Sequence, residues 1–184
     1  LAMTYVATAR VAYPVIGGIL FIAGAALAYQ IKGTVRLRFA IWIDPWSDAM
    51  DRGYQIVQSL FAIGDGGLFG PGLGKGYLLF KNGDPIIPAL HTDFIFSAIA
   101  EELGLAGATA LIVLFMIFYY RVFKVAIDSD DGFSKLLAAG LGAAFVLQTF
   151  VILGGVMKLI PLTGITLPFV SYGGSSIVAN FGAL

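Results

Sequence analysis

The chain has no cysteine, a single histidine and few charged residues. Asp, Glu, Lys and Arg together make up 12% of its 184 residues, and His91 is the only histidine. The lack of cysteine excludes disulfides, thiolate-metal sites and thiol catalysis. The absence of an HExxH pattern removes the main support for a zinc enzyme. Eleven basic and eleven acidic residues give a net charge of zero, so nothing indicates a nucleic-acid partner.

Hydrophobic residues dominate instead, at 59% of the chain, with a mean hydropathy of +0.91. This is too apolar for an ordinary soluble domain, and several apolar runs reach the roughly 20 residues needed to cross a bilayer. We predict an all-α polytopic membrane protein, a single membrane domain over residues 1–184, with three full transmembrane helices and a truncated fourth. The predicted spans are 11–31, 94–120, 136–157 and 177–184. Since both ends are apolar, we expect a piece of a longer protein.

Residues 32–90 contain no spanning run and are predicted to form one long loop. Alternating polar and apolar residues over Val35–Ile43 indicate an extended segment. Asp51–Ile63 has its apolar residues Ile56, Val57, Leu60, Phe61 and Ile63 at helical spacing, which predicts a short amphipathic helix. That helix either lies at the membrane interface or packs on a neighbouring part of the protein.

The Gly-dense segment Gly64–Gly76 is predicted to be a loop. Two interpretations stay open for it. Glycines let backbone N–H groups approach an anion closely, and Lys75 would add a positive charge. A plain flexible loop also explains the composition and is the favoured interpretation. Further along, Arg121–Lys135 is predicted to be a polar connection, and Lys158–Ser176 a loop tucked into the protein.

The most informative stretch begins at Leu90, where the polar segment meets the second apolar run. Asp93, Ser97 and Glu101 have the spacing i, i+4, i+8, which places them on one helix face. Polar groups in a membrane helix are costly unless they face protein or a wet cavity. We interpret this stripe as the wall of an active site, with Asp93 in the first helical turn and Thr92 as the capping residue.

Structural explanations compete with the functional ones for each of these residues. Asp93 would also stabilise a helix N-terminus, and His91 would either orient a substrate or cap the helix. The carboxylates of Glu101 and Glu102 are also explained by snorkelling to the interface or by an interhelical hydrogen bond. Three serines of the last loop either line the same cavity or form turns: Ser171, Ser175 and Ser176.

Several motifs in a fixed order resemble one family. They are Asp44-Pro45-Trp46, Gly53-Tyr54-Gln55, Gln58-Ser59-Leu60, Gly66-Gly67, Gly72-Leu73-Gly74, His91-Thr92-Asp93-Phe94-Ile95-Phe96, Glu101-Glu102-Leu103-Gly104, Pro161-Leu162-Thr163-Gly164, Pro168 and Ser171-Tyr172-Gly173-Gly174-Ser175-Ser176. From about Asp44 to Asn180 the chain resembles the SEDS family (shape, elongation, division and sporulation), the RodA- and FtsW-type proteins of bacterial cell-wall synthesis. One departure precedes the histidine. Family members often carry Pro-Glu there, whereas this chain reads Pro88-Ala89-Leu90.

The resemblance implies the C-terminal part of a bundle of about ten helices in the bacterial cytoplasmic membrane. It implies that loops 32–90 and 158–176 share the outer face, where the active site lies. The implied activity is polymerisation of lipid II into glycan strands during elongation or division, beside a class B penicillin-binding protein. The alternatives are a lipid II flippase and a non-catalytic scaffold for the transpeptidase. The stretch Leu159–Gly164 favours elongation.

Asp93 matches the family's proposed catalytic aspartate, and its chemistry is reasonable on independent grounds. A lipid diphosphate is already a good leaving group, so one carboxylate acting as general base suffices. The separating diphosphate requires positive charge, from Lys75 or from a divalent cation such as Mg²⁺ or Mn²⁺. We predict that Lys75, His91, Ser97, Glu101, Ser171, Ser175 and Ser176 contact the substrate.

Overall fold

The computed structural model describes residues 1–78, 86–88 and 90–183. Within these ranges the chain folds into seven α-helices and one short 3-10 helix, Pro45–Asp48. The α-helices are α1 Ala2–Thr8, α2 Ala12–Ile31, α3 Gly33–Ile43, α4 Tyr54–Asp65, α5 Ile95–Asp128, α6 Gly132–Val156 and α7 Gly174–Gly182.

Three of these helices, α2, α5 and α6, are long and apolar enough to cross a membrane. The predicted all-α class and the three full spans are therefore confirmed. In α2 the single proline, Pro14, lies in the first turn, where a missing N–H costs little. α5 has a kink at Gly104, whose backbone angles of φ 66° and ψ −166° are not helical.

α5 continues past the end of the predicted second span and α6 begins before the predicted third span, whose boundaries in the membrane stay a prediction. α5 continues eight residues beyond Tyr120, and α6 begins at Gly132, so the predicted connection from Arg121 to Lys135 shrinks to residues 129–131. No Gly or Pro interrupts the sequence between residues 108 and 128. The basic residues near its end are compatible with a helix C-terminus, where cations are favourable. Charge alone therefore did not mark the end of the helix.

The prediction of an extended segment over Val35–Ile43 was also wrong, because these residues form α3. Val35, Phe39 and Trp42 have the helical spacing i, i+4, i+7, which the alternation obscured. The rings of Phe39 and Trp42 meet edge to face with centroids 6.0 Å apart. The indole of Trp42 donates a hydrogen bond to the Lys158 carbonyl at 3.0 Å. The described part of the predicted long loop 32–90 thus contains two α-helices and the short 3-10 helix, and its residues 79–85 and 89 lie outside the described residues.

The amphipathic helix is confirmed as α4, three residues later at its start and two later at its end than predicted. Its buried face consists of Ile56, Val57, Ser59 and Ala62. This face packs within the protein, which is one of the two alternatives that the sequence left open. Phe61, expected on the apolar face, is 49% exposed and contacts the ring of Trp46.

The chain divides into two compact units, which are described separately. Unit 1 comprises Leu1–Arg38 and Phe115–Leu147, and unit 2 comprises Phe39–Leu114 and Gln148–Leu184. In unit 1, α1 packs on α2, and the Tyr119 hydroxyl donates to the Phe145 carbonyl at 3.2 Å. The largest fully buried side chains lie in unit 2, among them Phe94, Leu78 and Ile87. The single membrane domain predicted from sequence stays a prediction.

The last loop of unit 2 leads into α7, which begins three residues before the predicted fourth span and ends at Gly182. Leu184, the last residue of that predicted span, lies outside the described residues. α7 is amphipathic and buries Asn180. The preceding loop has left-handed backbone at Lys158, Gly164 and Phe169, so it follows an irregular path between α6 and α7.

Candidate active site

Asp93 lies immediately before α5 and not in its first turn. The Phe94 carbonyl accepts the first helical hydrogen bonds, from Ser97 N–H at 2.9 Å and Ala98 N–H at 3.3 Å. Phe94 therefore occupies the capping position predicted for Thr92. Asp93 is half-buried, and its Oδ2 would lie 3.3 Å from a Cβ built on Gly164. Gly164 has φ +72°, so glycine both permits this backbone and leaves room for the carboxylate.

Hydrogen bonds join the segment around Asp93 to the last loop. Tyr172 N–H donates to the His91 carbonyl at 2.8 Å, and the Ser171 hydroxyl donates to the Thr92 carbonyl. Ser171 Oγ also accepts from Leu167 N–H at 2.8 Å. We call residues 91–93 together with 164–172 the junction. Ser171, predicted to contact substrate, is 2% exposed and is used here to hold the two parts of the junction together.

A polar chain anchors the last loop to the helices on either side. The Gln148 side chain of α6 donates to the Thr166 carbonyl at 2.8 Å, and the Thr166 hydroxyl is 2.8 Å from that of Ser176. Asn180 Nδ2 donates to Ser176 Oγ at 3.4 Å. Ser176 is thus engaged inside unit 2, whereas Ser175 is exposed. The signal for this anchor was Gln148, the strongly polar residue within an otherwise apolar span.

The polar stripe predicted along α5 does not face a single cavity. Ser97 is fully buried, and its hydroxyl lies 2.6 Å from that of Ser59 on α4. Ser59 can also donate to the Val156 carbonyl at 3.5 Å. The Ser97 hydroxyl is therefore used between helices, and the structure does not place it beside Asp93 in an open site.

Glu101 is 2% exposed, and its carboxylate accepts backbone hydrogen bonds from two consecutive residues. Tyr77 N–H donates to Oε1, and Leu78 N–H donates to Oε2 at 3.4 Å. Burial raises the pKa of the Tyr77 phenol to about 12, and the negative charges of Glu101 and Asp65 act in the same direction. Burial first, and the nearby carboxylates after it, therefore keep Tyr77 protonated.

The Gly-rich segment packs backbone to backbone against the kink of α5. Gly72 N–H donates to the Glu102 carbonyl at 2.9 Å, and Leu105 N–H donates to the Gly67 carbonyl at 2.9 Å. A Cβ on Gly70 would lie 2.2 Å from the Glu102 carbonyl oxygen. Gly70 is thus required for close backbone contact, an explanation that the sequence analysis missed. Lys75 is exposed.

A cavity of about 210 Å³ lies beside α5 in unit 2. Its described lining is Leu73, Gly76, Leu78, Leu90, His91, Ile95, Ala98, Ile99, Glu101 and Glu102. The lining therefore includes two predicted site residues, His91 and Glu101. Asp93 does not itself line the cavity, but Leu90 and Ile95, which lie three residues before it and two after it in the chain, do. It is mostly apolar, as ligand cavities usually are, and its lining includes the acidic residues Glu101 and Glu102.

Comparison with known proteins identifies the family. A family profile for FtsW, RodA and SpoVE, described as "Cell cycle protein", matches residues 1–184. The chain belongs to this family. Together with the three apolar helices, this makes it part of a multi-pass membrane protein of the SEDS type.

Its relatives include a RodA protein and a sporulation protein. The chain is 50% identical over 182 residues to "Peptidoglycan glycosyltransferase RodA" of Mycobacterium tuberculosis, covering 98% of this chain and 37% of that protein. It is 39% identical to "Stage V sporulation protein E" of Bacillus subtilis, covering 96% of this chain and 47% of that protein. The chain thus spans less than half the length of these relatives.

A solved structure also matches, with a TM-score of 0.73 and 26% identity. The match covers 99% of this chain and 49% of the other. That structure is described as "Structural coordination of polymerization and crosslinking by a peptidoglycan synthase complex". The arrangement of helices found here is therefore shared with a member of such a complex.

Proposed function

We propose that this chain is the C-terminal part of a peptidoglycan glycosyltransferase that polymerises lipid II, with Asp93 as general base. The name of the RodA relative at 50% identity supports the activity. The position of Asp93 supports the role of the residue. The remainder of the site would come from the rest of the protein.

The observation that carries the proposal is the setting of the Asp93 carboxylate. It lies at the junction, half-buried, with Gly164 providing space beside Oδ2. Among the described residues, no hydrogen-bond donor or cation occupies it. The junction holds its backbone through bonds at His91 and Thr92, so the side chain stays available. A general base needs this combination of fixed position and free lone pairs.

The proposed step balances with this one residue. A sugar hydroxyl of the acceptor attacks the anomeric carbon of the donor, and the hydroxyl proton passes to Asp93. The bond from that carbon to the lipid diphosphate breaks, and the diphosphate leaves with the electron pair. Because the diphosphate is a stable anion, its departure needs no protonation by a second carboxylate, unlike the leaving group of a glycosidase.

Compensation of the diphosphate charge is the role we propose for Lys75. It is exposed and lies between Leu73 and Gly76, which both line the cavity. A divalent cation, Mg²⁺ or Mn²⁺, is the other proposal. In the described part of the chain no group of three or more His, Asp or Glu side chains is arranged to hold a metal. The residues do not form a ready cation site, and we derive no step through one.

The proposed partner is a class B penicillin-binding protein, a transpeptidase that would crosslink the strands. The matching solved structure, described as a complex for polymerization and crosslinking, supports this pairing. We place the protein in the bacterial cytoplasmic membrane with Asp93 on the outer face. A role in elongation is favoured because the RodA relative is 50% identical, against 42% for an FtsW relative of Bacillus subtilis.

The deciding experiment is a polymerisation assay in detergent. Purified full-length protein with its transpeptidase partner is given lipid II, and glycan chains are resolved by gel electrophoresis. In detergent there are no two membrane leaflets, so a flippase cannot transport lipid II and makes no product under these conditions. Glycan chains support the polymerase. Their absence, with a partner shown to be active, would favour the flippase or the non-catalytic scaffold.

A further inference from the structure

Glu101 is a buried carboxylate that the proposed reaction does not use. Both of its oxygens accept backbone N–H groups, from Tyr77 and Leu78, and the residue is 2% exposed. A buried anion is costly unless it is paired or hydrogen-bonded, so these two bonds account for its presence. The Glu101 carboxylate of α5 thus binds the backbone of a segment that is distant in sequence.

The segment that Glu101 holds is residues 72–78. A second contact fixes its other end, where Gly72 N–H donates to the Glu102 carbonyl at 2.9 Å. Gly76 lies directly against the carboxylate, because a Cβ there would be 2.7 Å from Glu101 Oε2. The segment therefore has no room to shift toward α5 while Glu101 is in place.

This segment forms one wall of the cavity. Leu73, Gly76 and Leu78 all line it, and Lys75 lies between the first two. The other lining residues belong to α5, apart from Leu90 and His91, which precede Asp93 by three and two residues. The position of the 72–78 segment thus determines the width of the cavity and the location of Lys75 near it.

We propose that Glu101 is a positioning residue, whose carboxylate holds the 72–78 segment in place so that the cavity receives the lipid diphosphate. This rests on the proposed polymerase function. One acceptor site on each of the Glu101 carboxylate oxygens is taken by a backbone N–H group, from Tyr77 and from Leu78. Glu101 acts through the segment that carries Lys75.

Glu101→Gln is the informative substitution. Its amide has one acceptor oxygen and an NH₂ group, which only donates. One of the two backbone N–H groups would then face a donor, so the segment loses a bond. We expect KM for lipid II in the full-length protein to rise about tenfold while kcat changes by less than about threefold, as for lost ground-state binding. The pH–rate profile should stay that of wild type, since Asp93 is untouched.

A second measurement needs no activity. This chain has no cysteine, so Leu73→Cys can carry a nitroxide in a full-length background cleared of other cysteines. The label's spectrum in substrate-free protein should show greater mobility in Glu101→Gln than in wild type. Glu102→Gln is the matched control, because only the backbone carbonyl of Glu102 holds the segment, and the mobility should not change. Gly76→Ala, which pushes the carboxylate from the other side, should reproduce the effect of Glu101→Gln.

These two readouts separate the possible failures. An immobile label in both Glu101→Gln and Gly76→Ala would show that Glu101 does not hold the 72–78 segment in place. A mobile label with an unchanged KM overturns the positioning role. Loss of kcat in proportion to folded protein, with KM constant, assigns Glu101 to stability alone. If wild type makes no glycan while the label responds as expected, the proposed function fails. The hold of Glu101 on the 72–78 segment is then still supported. If Glu101→Gln does not accumulate, Gly76→Ala carries the same test.

Discussion

The two units of this chain contain long apolar helical segments, yet they differ in what they bury. Among the described residues, every buried polar side chain lies in unit 2: Ser59, Ser97, Glu101, Thr149, Ser171 and Asn180. α2 of unit 1 has no buried residue at all. Its exposed apolar surface is suited to contact with lipid, as expected for a membrane span.

The glycines show the same difference. Gly18 and Gly24 in α2 have nothing within 4 Å of where a Cβ would stand. Gly66, Gly70 and Gly104 in unit 2 each approach another backbone so closely that a Cβ would collide with it. Unit 2 thus combines polar interior groups with close backbone contacts, which cost stability unless they are fully satisfied. Such contacts are expected where loops must be held in a defined geometry. Unit 2 is also the unit that contains Asp93.

Of the substitutions that compare the two units, Asp93→Asn in unit 2 is expected to have the largest effect, which is on glycan synthesis. The substitution keeps the shape and removes the basicity, so the fold should persist. We expect glycan synthesis to fall by about 10²–10⁴-fold, the usual share of general acid–base catalysis. The measurement is the rate of glycan formation by full-length protein in the detergent assay. Asp93→Glu keeps the base but displaces it, and should retain partial activity.

A folded Asp93→Asn protein that polymerises at the wild-type rate would contradict the assignment. The base would then lie outside this chain, and unit 2 would provide only the frame. Folding of the variant is checked by its melting temperature in the same detergent.

The next effect concerns stability and compares one substitution in both units. In Gly104→Ala the new Cβ would be 2.6 Å from the backbone of Leu68 and Gly70, at a backbone conformation that only glycine adopts easily. Strain and overpacking together should reduce the free energy of unfolding by about 2–5 kcal/mol. Gly24→Ala in α2 meets no atom and should be neutral or stabilise by about 0.5–1 kcal/mol. Equal melting temperatures for the two variants would show that the kink is not held as described.

A smaller effect is expected from Ser97→Ala. It removes the partner of the Ser59 hydroxyl inside unit 2, leaving Ser59 with only the 3.5 Å contact to the Val156 carbonyl. We expect a loss of about 1–2 kcal/mol, and a smaller one when Ser59→Ala is added, since no unpaired group then remains. Thermal unfolding of the single and double variants measures this coupling. If Ser97 instead binds substrate, its alanine variant would raise KM without lowering stability.

The sequence predicted the parts of this structure that depend on local pattern. Long apolar runs identified α2, α5 and α6, and the motif around Asp93 led to the junction. It did not predict α3, because over nine residues the alternation of Leu37, Phe39 and Ile41 competes with the helical spacing of Val35, Phe39 and Trp42. The partners of Ser97 and Glu101 were missed for a different reason. Both follow from contacts between segments distant in sequence, and helical spacing alone cannot say what lies opposite a side chain.

The smallest effect is expected in unit 1, from an acid that caps a helix at the surface. Asp131 immediately precedes α6, and Ser134 lies in the first turn of that helix. Asp131 Oδ2 accepts hydrogen bonds from the Ser134 backbone N–H and from the Ser134 hydroxyl, both at 2.8 Å. These bonds to the charged form lower the pKa of Asp131, the backbone bond first. A lowered pKa means that the folded state binds the proton less readily than the unfolded one. The stabilisation is therefore complete above the ordinary Asp pKa and is lost as the pH falls through the lowered value.

Hydrogen exchange at the first amides of α6 measures this directly. Protection should fall as the pH is lowered below the ordinary Asp range, after correction for the intrinsic exchange rate. Asp131→Ala should show reduced protection that no longer responds to pH, whereas Asp130→Ala, which changes an exposed neighbour, should behave as wild type. Because Asp131 is exposed, the effect should stay local to the start of α6 and leave glycan synthesis unaltered. A change in polymerisation from Asp131→Ala would break the distinction between the two units, since a surface cap in unit 1 would then affect the chemistry assigned to unit 2.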